Sequence, residues 1–89
     1  MRPKYPLLSE STIKDVQAEV LRASTVHRDK SLLNPDMPDV EKLAALVEEV
    51  GEVGKALTYD QQRKDLPREL LQVAGLALAW VESIGAGNG

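Results

Sequence analysis

Glu48-Glu49-Val50-Gly51-Glu52 and, farther along, Glu69-Leu70-Leu71-Gln72 are the residues whose types and spacing could do chemistry. On a helix that turns about 100° per residue, Glu49 and Glu52 lie about 60° apart and one turn removed, with Glu48 near Glu52 in angle. Ala45 and Ala56 share that stripe, so the face could approach another helix closely or leave room for something between. Glu69 and Gln72 repeat the spacing at the start of an apolar run. A polar side chain inside such a run needs hydrogen-bond partners or a ligand. Two helices that each offer oxygens at i and i+3 can converge on a hard divalent cation. Mg²⁺ fits that description, since it takes oxygen ligands, keeps several waters and bridges to substrate phosphates. The alternative for such a cluster is a solvated acidic face whose like charges repel slightly.

The elements that must position these residues are three helices. Residues 1–10, with Pro3 and Pro6, read as an extended arm, and residues 11–84 as one all-α domain. Ser9 or Ser11 can cap a first helix that runs to about Arg28, with Ile13, Val16, Val20 and Leu21 on its buried side. Residues 30–38 hold Asn34-Pro35 and Met37-Pro38, and residues before proline are biased away from helix, so a loop is expected. Asp39 can cap the second helix, where Leu43, Leu46, Val47, Val50, Val53, Gly54 and Leu57 follow the 3,4 spacing of a buried stripe. The carboxylate face is displaced from that stripe by roughly 100–160°. After a polar connection over 60–64, Asp65 can cap a third helix with Pro67 in its first turn. Gly85 is the usual kind of residue just past a helix end, which leaves 85–89 as a flexible tail.

Length makes a second demand. Eighty-nine residues can hide only roughly 60–65% of their unfolded surface, which yields a small core. The usual supports are disulfides, a metal or a partner chain, and the chain has no cysteine. From 70 to 81 only Gln72 is polar, so the third helix is apolar nearly all round, the pattern of a helix buried on every side. Two other short helices cannot enclose it, and a second copy in a symmetric homodimer would. A net charge of −3 disfavours nucleic-acid binding, which needs a basic face. The apolar run is too short to span a bilayer, and no signal-peptide pattern opens the sequence. A cytoplasmic protein with neither nucleic-acid nor membrane partners is expected.

The string Leu46-Val47-Glu48-Glu49-Val50-Gly51-Glu52-Val53-Gly54-Lys55-Ala56-Leu57 resembles the first signature helix of the MazG-like, all-α nucleoside triphosphate pyrophosphohydrolases. That family pairs an E-E-x-x-E helix with a second helix bearing E-x-x-D. Arg68-Glu69-Leu70-Leu71-Gln72-Val73-Ala74, followed by Ala77 and Ala79-Trp80-Val81-Glu82, is similar to the second helix of a short phage- and actinobacteria-type branch. The likeness covers roughly residues 12–84. It implies a three-helix protomer in a multi-chain helical bundle, with Mg²⁺ or Mn²⁺ held by Glu49, Glu52, Glu69 and Gln72. Glu48 would be a further ligand or the base that orients the attacking water, and the reaction would split a nucleoside triphosphate into the monophosphate and pyrophosphate. Gln72 stands where the family has aspartate; its amide oxygen can ligate a hard metal but brings no charge and cannot act as a base. The alternative is a catalytically weak or inactive member that binds nucleotide or a protein partner.

Several other residues read two ways. Lys55 and Arg68, with Arg63 and Lys64, could meet phosphates or form solvated surface. Trp80 could stack on a base, or pack in the core or between copies. His27 could touch a base or phosphate, or be an ordinary residue near a helix end.

Overall fold

The computed structural model describes residues 4–58 and 64–88, all-helical apart from short connections. The connection expected over 60–64 therefore lies mostly outside the described residues, as do Tyr59 and Arg63. Three helices follow in chain order: α1 (Glu10–His27), α2 (Asp39–Thr58) and α3 (Leu66–Asn88). A one-turn 3₁₀ helix, Arg28–Lys30, leaves α1.

Local chemistry sets the boundaries. Ser9 caps α1: it has extended backbone, and its side chain accepts from the Thr12 amide at 3.1 Å. Arg28 ends the helix with φ at 51°, a region that costs any residue with a Cβ. The following loop is knit by two side chains. Ser31 Oγ accepts from the Leu33 amide, while Asn34 donates to the Asp29 carbonyl and accepts from the Asp36 amide. At the start of α2 the expected cap is corrected. The Pro38 carbonyl accepts the first helical bonds, from Glu41 and Lys42, and Asp39 instead takes a hydrogen bond from the Trp80 indole at 3.0 Å. At the end of α3 the expected stop is corrected too. No glycine among the described residues has positive φ, so Gly85 does not make the left-handed turn that ends helices, and α3 continues to Asn88.

α3 is the central element, packed against both α1 and α2, whereas the Cα atoms of α1 and α2 come no closer than 8 Å. α2 and α3 run antiparallel. Asp39 meets Trp80 and Lys42 meets Ser83 at one end, and Glu49 meets Gln72 and Glu69 toward the other. On α1 no residue is buried, and Ile13 and Leu21, expected on its inner side, are exposed.

The largest correction concerns α2. Leu43, Val47, Val50 and Leu57 of the expected buried stripe are 50–59% exposed. The residues that face α3 are Lys42 and Ala56, both buried, with Ala45, Leu46, Glu49 and Val53 half-buried between them. That face lies about 100° around the helix from the apolar stripe. A mixed face of Lys42, Glu49, two alanines and the edge of the apolar stripe, Leu46 and Val53, thus makes the contact inside the chain. On α3, Leu70, Leu78, Val81 and Ile84 are 49–65% exposed and turn about 130° from the side that meets α2. In antiparallel neighbours both rotations run in the same sense, so the α2 stripe shares one side of the α2–α3 layer with Leu70 and Ile84, while Leu78 and Val81 also border a groove against Val20 and Leu21 of α1. Gly75, which meets α1, is on the other side of the layer.

What remains inside is slight: among the described residues, Leu32, Ala56 and Ala79 are the buried apolar ones. The segment Leu66–Ala86 has a mean hydropathy of 1.2, enough by length and composition to cross a membrane and longer than the run read from the sequence. Its polar face, with Glu69, Gln72 and Ser83, is packed against α2, while only 17% of that apolar stretch is buried within the single chain.

Lys42 is 1% exposed. Its Nζ donates to Ser83 Oγ, which donates on to the Trp80 carbonyl at 2.7 Å. Its four methylenes therefore act as core. Lys42→Ala is expected to cost about 2–4 kcal/mol, as other large-to-small core changes do, and Lys42→Met less than half of that. Urea denaturation of the two variants measures the difference.

Candidate functional site

The two glutamate-bearing helices meet where the sequence spacing puts their polar residues. Gln72, half-buried on α3, faces two carboxylate oxygens, so its amide nitrogen must point at them. In that orientation it donates to Glu49 Oε2 at 2.8 Å and to Glu69 Oε2 at 3.0 Å. One amide thus clasps an acid from each helix. The Glu69 side chain is 12% exposed, and Arg68 reaches it at 3.4 Å from the solvent side.

Holding two carboxylates this close perturbs them. Burial raises the proton affinity of Glu49, and the negative charges of Glu69, Glu52 and Glu48 raise it further, as does a hydrogen bond with Glu69. The acids of the site outnumber the cations beside it, Arg68 at Glu69 and Arg22 within range of the Glu49 charge.

The other expected site residues are spread around this pair. Glu52 is near enough for its charge to act on Glu49 and is bridged to Lys55 at 3.4 Å. Glu48 faces a different groove, beside Asp36, Met37 and Glu41. Lys55 and Arg68 are exposed and paired with neighbouring acids, Arg68 with Asp65 as well as Glu69. Trp80 stands about 12 Å along α3 from Gln72 by helical rise, tied to Asp39, so it does not join the acid pair. Among the described residues, no three His, Asp or Glu side chains gather closely enough to hold a metal by themselves.

Two residues on α1 that sequence reasoning passed over do join the site. Glu19 and Arg22 line a cavity of about 50 Å³ with Glu49, Gln72, Gly75 and His27. In sequence they are an unremarked i, i+3 pair. The signal that could have found them is Gly75, a glycine inside an otherwise apolar helix, which marks a place where another element comes close.

The donor set suits a hard cation. Two carboxylates are at hand, and the terminal torsion of a glutamine is roughly two-fold, so a half-turn would present the Gln72 oxygen in place of its nitrogen. Waters and phosphate oxygens would complete an Mg²⁺ shell. Compared with known proteins, the chain matches no family model, no curated protein and no solved structure at a significant level.

Proposed function

We propose that this protein is a Mg²⁺-dependent nucleoside triphosphate pyrophosphohydrolase of the MazG-like type, working in the cytoplasm as a homodimer and also able to use Mn²⁺. The observation that carries the reading is the meeting of Glu49 and Glu69 across the Gln72 amide, in a site whose excess negative charge a cation would relieve. Bound there, Mg²⁺ would neutralise phosphate charge and make the phosphorus more electrophilic. Glu49, Glu69 and the turned Gln72 oxygen would hold it, and Glu52 would join on leaving Lys55. Lys55 and Arg68 flank this end and would draw the polyanion in. Glu48 faces the neighbouring groove but is near enough for its charge to act on Glu49, and it would be a further ligand or the base that orients the attacking water.

Calorimetric titration with Mg²⁺, with and without a non-hydrolysable nucleoside triphosphate, tests the binding half of this reading. Wild type is expected to bind the cation, and Gln72→Asp to bind it about tenfold or more tightly, since a third carboxylate replaces a neutral amide. No Mg²⁺ binding by either protein would overturn the reading. One observation favours a second reading, a nucleotide- or partner-binding protein without hydrolysis: the amide nitrogen already sits between the carboxylates, where a cation would. That reading expects nucleotide binding indifferent to Mg²⁺.

The homodimer rests on exposed surface. The chain presents 6989 Å², against about 5,100 Å² for a compact monomer of this mass. Part of that excess is the extended segment before α1, where Tyr5, Leu7 and Leu8 are 71–83% exposed, and part is the apolar stripes of α2 and α3. The exposed stripe of α2, with Leu70 and Ile84 of α3, lies on one side and would meet its own copy about a two-fold axis.

A further inference from the structure

Among the described residues, Arg22 is the one Lys or Arg lining the cavity that holds Glu49 and Gln72. Its guanidinium is fixed on Glu19 by two bonds: Nε donates to Oε2 at 2.9 Å and Nη2 to Oε1 at 2.6 Å. Those bonds occupy one edge of a fork that carries five N–H donors, and the side chain is 51% exposed. A free edge therefore remains at the cavity mouth. Glu19 is itself positioned. Its side chain is 15% exposed, and its Cγ lies 3.3 Å from where a Cβ on residue 75 would stand. Glycine inside a helix weakens it, and here its missing side chain gives Glu19 its place. Arg22 and Glu19 are thus a built pair, set on α1 and facing Glu49 across the cavity.

Two chemistries meet at this cavity. Glu49, which Gln72 joins to Glu69 behind it, would face a cation, and Arg22 offers a planar, bidentate anion contact of the kind that matches phosphate. We infer that Arg22 is the phosphate-recognition residue at the mouth of this cavity, binding from its solvent side the non-bridging oxygens of a cation-complexed di- or triphosphate while Glu19 holds its other edge. The inference rests on the proposed function for the place of the cation, but not on hydrolysis. It assigns recognition to α1, whereas sequence reasoning looked to Lys55 and Arg68.

The test is calorimetric titration of the full chain with inorganic triphosphate in the presence of Mg²⁺. Arg22→Ala is expected to weaken binding about tenfold or more, and Arg22→Lys to restore part of it, since lysine supplies charge without the fork. Gly75→Ala, which leaves Arg22 in place but displaces Glu19, is expected to weaken it several-fold while circular dichroism shows the helices intact. In turnover, Arg22→Ala should raise KM with little change in kcat. Binding by Arg22→Ala equal to wild type would overturn the inference even if the protein hydrolyses nucleotides. Arg22-dependent binding of triphosphate without any hydrolysis would uphold it and overturn the enzymatic reading instead. Wild type that does not bind triphosphate at all would overturn both.

Discussion

Glu49→Gln is expected to raise the melting temperature of the metal-free protein at neutral pH while removing its activity. Burial and the charges of Glu69, Glu52 and Glu48 hold the Glu49 carboxyl above its ordinary range. A group whose proton affinity is raised on folding contributes stability that is fully present below its unfolded pKa, about 4.3, and is lost as pH rises through the folded one. Wild type should therefore lose stability as pH climbs from 4 toward 8 by this route. The substituted amide would stay neutral throughout and still accept from the Gln72 amide. The gain should be absent near pH 4 and amount to a few degrees at pH 7–8, because the site is only partly buried and about 1 kcal/mol moves the melting point of so small a domain by about 4–8 °C. Turnover should fall by more than about 100-fold, since even residues that merely support metal ligands cost up to that much. Thermal scans across pH, with parallel activity assays, measure both. A variant less stable than wild type at pH 8 would show that Glu49 is not under the strain described.

A charge among the exposed apolar residues of α2 and α3 should be the most damaging surface change. Val47 is 59% and Val81 65% exposed in the single chain, so a monomer would tolerate glutamate at either position. In the proposed homodimer both would be buried, and an unpaired carboxylate there costs several kcal/mol. The single chain has little to fall back on, since Leu32, Ala56 and Ala79 are the buried apolar residues among those described. Val47→Glu and Val81→Glu are thus expected to lose cooperative unfolding along with the dimer, while Lys14→Glu on exposed α1 keeps both. Sedimentation at micromolar concentration with thermal melts reads this out. A stably folded wild-type monomer at micromolar concentration would refute the homodimer.

Why the fold was partly legible follows from what each signal reports. The three helices, the Ser9 cap and the loop over 31–38 are local matters of period, capping and proline, and the sequence carries them. The convergence of Glu49, Glu69 and Gln72 was legible for a similar reason: each lies at helical spacing on an element that has to pack. Periodicity does not say which chain covers an apolar stripe. On α2, Val47 and Val50 read as the inner face, yet Ala45, Glu49 and Ala56 make the contact within the chain. Lys42 was hidden by its type, because lysines are rarely buried, although its position falls on the alanine face. The sequence offers Asp39 as a cap and Trp80 as a base platform or a packing residue, and only the antiparallel register shows that they satisfy each other. Glu19 and Arg22 gain meaning from Gly75 on another helix, a relation the local sequence does not carry.

The central claim is tested most directly by pyrophosphate release. Wild type, incubated with canonical and modified nucleoside triphosphates and Mg²⁺ or Mn²⁺, is expected to release pyrophosphate and the monophosphate in a metal-dependent way. A Glu49→Gln, Glu52→Gln double variant should release none. Release by wild type no greater than by that variant, across the whole panel and with either metal, would contradict the account.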